Sequence, residues 1–164
     1  MRSSLALSQR QIAVAVAILL GVCLCWTLVH RFMPPRFYLP GPAQTLVSVL
    51  LFLALYVAPP AAVAWFGYRT RKPLPALLLG LAIPPCTTLL LWLGGAFTHG
   101  VWIASLFQDD RVKFGFSAFL AASSLVCWGA GGAFLRRDKV ATALFWAFAL
   151  FLGFHSFVIS VPWD

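Results

Sequence analysis

The chain has 164 residues, of which 62% are hydrophobic and 10% charged, and its formal net charge is +8. A soluble domain of this size carries about 25% charged residues, so an ordinary water-soluble fold is excluded. The longest gap between apolar runs, Thr98–Lys113, is sixteen residues. That is too short for a soluble domain, so the basic excess reads as a mark of membrane orientation and not as a nucleic-acid surface.

Five apolar runs follow one another: Gln11–Val29, Thr45–Tyr68, Leu74–Phe97, Phe114–Leu135 and Val140–Val161. Each approaches the roughly 20 residues that cross a ~30 Å hydrocarbon core as a helix. The runs are continuous and do not alternate as barrel strands do, so helices are expected. The expected fold is an all-α integral membrane protein, a five-span helix bundle forming a single transmembrane domain over 1–164.

The first run has a basic leader and an apolar core, as a signal peptide does. Its A-x-A triplets, Ala13–Ala15 and Ala15–Ala17, lie inside the apolar stretch, too early for cleavage. It therefore reads as a retained span. Cys23 and Cys25 are two apart and point to different faces of a helix, which argues against a paired thiol site. Between the first two runs, His30–Ala43 contains Pro34, Pro35, Pro40 and Pro42. This density of proline predicts a stiff extended connector.

Spans two and three carry Pro59-Pro60 and Pro84-Pro85. A proline has no N–H and crowds the carbonyl four residues earlier. The carbonyls freed are those of Leu55 and Tyr56 in one span, and of Gly80 and Leu81 in the other. Both pairs lie ~11–15 Å from the basic turn Arg69–Pro73 at 1.5 Å per residue. Two kinks at one depth would suit a small cavity, with Pro59, Pro60, Pro84, Pro85, Thr87 and Thr88 as its candidate lining. The competing reading is that neighbours re-satisfy the backbone and the prolines only shape the bundle.

Span four repeats small residues in sevens: Gly115, Ala122 and Gly129, with Ala118, Leu125 and Gly132 three positions along. Small residues let membrane helices approach closely, so this span is expected to be a packing hub. The very short turn Arg136–Lys139 makes spans four and five antiparallel neighbours. Span five is rich in phenylalanine and carries His155, the one ordinarily titratable, non-thiol side chain well inside a span. An intramembrane ionisable group is a functional candidate. The ordinary alternative is a neutral imidazole bonded to a backbone carbonyl or a serine across the bundle. His30, His99 and His155 all belong to the outer half, which makes them weak candidates for a metal or haem site.

The charge map sets the threading. Eight cations (Arg2, Arg10, Arg69, Arg71, Lys72, Arg136, Arg137 and Lys139) fall on one side, and four cations with three aspartates on the other. The positive-inside rule then predicts the N-terminus in and the C-terminus out. There is no glutamate, and no aspartate lies inside a run, which weakens proton-coupled and acid–base mechanisms. No phosphate loop, nucleotide fingerprint, nucleophile elbow or H-E-x-x-H is present.

These residues favour a non-catalytic accessory, assembly or structural subunit of a larger membrane complex, in a bacterial inner membrane. Its partners would be the lipid bilayer and other membrane subunits, with no nucleic acid. No cofactor is required. The alternatives are a small transport or ligand-binding module at the proline pairs, and a redox subunit holding haem or quinone near His155.

Overall fold

A computed structural model describes residues 7–32, 46, 50, 56–98 and 111–160. Within them the chain is helical and contains no strand. The helices are α1 (Gln9–Phe32), α2 (Ala58–Thr70), α3 (Pro73–Thr98), α4 (Arg111–Phe134) and α5 (Lys139–Ser160). Four segments are long and apolar enough to cross a membrane: Gln9–Leu28, Pro73–Leu91, Gly115–Phe134 and Lys139–Ile159. The proline-rich connector, the 99–110 loop with His99, and most of 45–55 lie outside the described residues.

Local chemistry sets the helix ends. The Gln11 N–H donates to Ser8 Oγ at 3.2 Å, and the Ser8 N–H donates to Gln11 Oε1 at 3.1 Å. This reciprocal capping box fixes the start of α1. At the end of α2, Arg71 adopts left-handed backbone angles (φ 55°, ψ 20°) and its N–H bonds Gly67 O at 2.8 Å. Thr70 Oγ1 closes the last turn by donating to Phe66 O at 2.9 Å. Pro73 then opens α3 at a position where a missing N–H is harmless. Asp138 Oδ1 accepts the N–H groups of Val140 and Ala141 at 2.9 and 3.0 Å, capping α5.

Helix α4 is the centre of the bundle: α2, α3 and α5 all pack extensively against it. Helix α1 packs mainly on α3 and touches α2 less, while α2 and α3 contact each other only modestly. A buried cluster of Cys23, Val63, Phe66, Ala76, Leu79, Ile83 and Leu125 joins α1, α2, α3 and α4.

Pro84 and Pro85 lie inside α3, which continues through them as one helix. Pro59 and Pro60 stand in the first turn of α2, after a π-helical turn at Tyr56–Val57. A helix start tolerates proline because its first N–H groups have no intrahelical partner.

Candidate functional site

Several glycines of α2, α3 and α4 lie against the backbone of a neighbouring helix, with no room for a side chain. A Cβ on Gly67 would overlap Gly129 O, and one on Gly132 would overlap Ala64 O. On the α3 side, a Cβ on Gly80 would come within 2.8 Å of Leu125 C and Val126 N. Gly129 sits at the junction, where a Cβ would lie 2.9 Å from Ala76 O and 3.0 Å from Val63 Cγ1. Thus Gly129 and Gly132 of the small-residue stripe meet α2 and α3, and Ala122 is buried with them. Ala118 is half-buried. Gly115 is exposed, and nothing lies within 4 Å of its Cβ position. The stripe therefore works over its C-terminal two-thirds. Gly67 and Gly80 complete these contacts; Gly67 is the one glycine of α2, and Gly80 stands well apart from Gly94 and Gly95 in α3. Ala76-x-x-x-Gly80 is the small-residue pair that would have pointed to one of them.

The proline region of α3 is packed and bonded inward. Pro84 and Thr87 are buried, Thr88 is half-buried and Pro85 is exposed. Thr87 Oγ1 donates to Ile83 O and Thr88 Oγ1 to Pro84 O, each at 2.9 Å. Cys23 Sγ of α1 also donates to Ile83 O, at 3.5 Å. The two threonine hydroxyls therefore turn back onto their own helix. Pro59 is buried and Pro60 half-buried at the start of α2.

Helix α5 has two distinct faces. Toward α4, Ser124 Oγ donates to Ala149 O at 2.7 Å, and Ser156 Oγ donates to Ser117 O at 3.0 Å. Phe145 stacks on Phe134 with centroids 5.8 Å apart, and Trp146 lies 5.9 Å from Trp128. The Trp146 indole rests on Gly131, and its Nε1 is buried without a hydrogen-bond partner among the described residues.

The opposite face is exposed. Leu144, Phe148, Phe151 and His155 recur at alternating intervals of four and three, which puts them on one helix face. His155 Nδ1 lies 2.9 Å from Phe151 O, and its ring centroid is 4.2 Å from that of Phe151. A carbonyl only accepts, so this contact assigns the proton of a neutral ring to Nδ1 and leaves Nε2 as an acceptor. The carbonyl belongs to the same helix, so the imidazole does not cross the bundle. No group of three or more His, Cys, Asp and Glu suited to a metal ion occurs among the described residues. His30 stands on the last turn of α1, and the surroundings of its side chain lie outside the described residues.

At the turn end of the bundle, a cavity of about 280 Å³ is lined by Tyr68, Arg71, Gly132, Ala133, Arg136 and Arg137. Arg136 donates to the Tyr68 hydroxyl, and its guanidinium carbon lies 4.6 Å from the centre of the Tyr68 ring. The sequence shows these cations as two separate clusters, and packing of α2 on α4 joins them. No family model, curated protein or solved structure matches this chain, so its function is argued from this geometry.

Proposed function

We propose that this chain is a non-catalytic, five-span subunit of a larger membrane complex, with its N-terminus in the cytoplasm of a bacterial cell. In this reading the exposed face of α5 docks a partner helix. The observation that carries it is His155. Its ring is exposed on a helix apolar enough to span the membrane and, among the described residues, bonded only to its own backbone, with Nε2 left as an acceptor. A polar group facing hydrocarbon is disfavoured, and intramembrane ionisable residues nearly always find a protein partner or a cavity. A helix presenting a hydroxyl or indole N–H would satisfy Nε2, while Leu144, Phe148 and Phe151 supply the apolar seam around it.

The internal small-residue contacts support the same view. Gly129, Gly131 and Gly132 of α4 are consumed within the chain, whereas the α5 face is a described surface with both aromatic mass and an open polar atom. A photo-crosslinking residue at Phe148 tests this. It should trap one membrane protein in cells, and His155→Leu should weaken that adduct. Adducts to lipid alone, with a lone monomer in mild detergent, would refute the proposal.

The tautomer of His155 also favours a second reading. An imidazole held by Nδ1–H···O=C leaves Nε2 free for an iron ligand, so a haem could sit between α5 and a partner. Purified protein or complex lacking a haem absorption band would remove this version.

A further inference from the structure

We propose that the cavity between the α2–α3 and α4–α5 turns holds the phosphate of an anionic phospholipid headgroup. Membrane orientation accounts for basic residues on this side. It does not account for their convergence on one cavity from two separate turns.

The cavity is suited to an anion. Arg71 comes from one turn and Arg136 and Arg137 from the other, with Gly132 and Ala133 between them. Asp138 is the one acid the sequence places in these turns, and its Oδ1 already accepts two N–H groups at the start of α5. Helix dipoles largely cancel here. The C-termini of α2 and α4 contribute about half a negative charge each, and the N-termini of α3 and α5 about half a positive charge each. The arginines therefore set the sign of the local potential. Guanidinium groups suit phosphate because their planar forks bind two oxygens at once.

A second observation concerns Arg71 itself. It is the only non-glycine residue with positive φ among the described residues. The helix C-terminus it follows is one where glycine is the usual and least strained occupant. An arginine at that position places a guanidinium at the cavity where backbone preference alone would favour no side chain. The volume, about 280 Å³, lies just under the ~300–1,000 Å³ of sites for drug-sized ligands, a scale fitting a headgroup. Tyr68, on a last helical turn beside the arginines, is a residue type that favours the membrane interface. Basic pockets between membrane helices are known settings for anionic headgroups.

The test is native mass spectrometry of the full chain in detergent micelles, titrated with phosphatidylglycerol, phosphatidylcholine or inorganic phosphate, alongside thermal melting. The wild type should retain phosphatidylglycerol in preference to phosphatidylcholine. Arg71→Gly should melt no lower than wild type, because it relieves a left-handed arginine, yet bind phosphatidylglycerol about fivefold or more weakly. Arg136→Gln should weaken binding at least as much, while Arg69→Gln, outside the lining, should change it less than twofold. Equal loss in Arg69→Gln and Arg71→Gly would mean diffuse surface attraction and overturn the assignment. So would undiminished binding in Arg71→Gly, equal retention of phosphatidylcholine, or displacement of the lipid by millimolar inorganic phosphate, which would reassign the cavity to a free anion.

Discussion

Replacing Gly129 with alanine adds one methyl group at the point where three helices meet, and the geometry sets its effect. The new Cβ would lie 2.9 Å from Ala76 O on α3 and 3.0 Å from Val63 Cγ1 on α2, whereas ordinary contact begins at 3.4 Å. Relief requires about half an ångström on the α3 side, against backbone, and about 0.4 Å on the α2 side. Val63 is fully buried and β-branched, so its side chain has little rotamer freedom with which to yield. Overpacking of this kind typically destabilises by about 1–3 kcal/mol. Alanine returns up to about 1 kcal/mol of helix propensity. The net expectation is a loss of roughly 0–2 kcal/mol by subtraction, which places the variant about 1–3 kcal/mol below a control that gains the same propensity without the overlap. Gly115→Ala is the matched control on the same helix, since nothing lies within 4 Å of its Cβ position. It should leave stability unchanged or raise it by up to about 1 kcal/mol. Equilibrium unfolding in mixed micelles measures both. Equal stabilities for the two variants would refute the claim that close backbone approach at α4 holds the bundle together.

Further expectations follow from single contacts. Trp146→Phe removes a buried N–H that has no partner, so it should unfold within about 1 kcal/mol of wild type despite the smaller ring; a larger loss would mean the indole N–H is bonded. Ser124→Ala deletes the hydrogen bond to Ala149 O and should cost about 0.6–1.7 kcal/mol in the same unfolding assay, with no change counting against that bond. Asp138→Ala removes the α5 cap and should cost about 1 kcal/mol, whereas Asp138→Asn or Asp138→Ser should recover most of the loss.

The sequence reveals much of this architecture because charge and hydrophobicity act along the chain. The turns at Arg69–Pro73 and Arg136–Lys139 emerge where predicted, since charged residues cannot be buried in hydrocarbon. The role of α4 as the hub is also readable from the seven-residue repeat of small residues. The extent of that hub is not. Gly115 fits the repeat as well as Gly129 does, yet only Gly129 faces another helix, and periodicity carries no information about where a neighbour ends. His155 stands out as polar within an apolar run, but its face depends on which side α4 occupies. The basic cavity needs two turns 60 residues or more apart to meet, a fact held in the packing of α2 on α4. The capping box at Ser8 and Gln11 is written in the sequence as Ser-x-x-Gln, with Arg10 inside it.

The central position of α4 also bears on how the bundle comes together as the chain is made. Helix α1 emerges first, but its principal neighbour, α3, follows two helices later. Helices α2 and α3 contact each other only modestly. The clefts at Gly67 and Gly80 stay unfilled until α4 arrives, because the surfaces that fit them are Gly129, Leu125 and Val126. Among the described helices, most of the close packing therefore depends on α4, the second-to-last to be synthesised. A chain truncated before Arg111 would keep the seam between α1 and α3 and lack the helix that makes the most extensive contacts of the bundle.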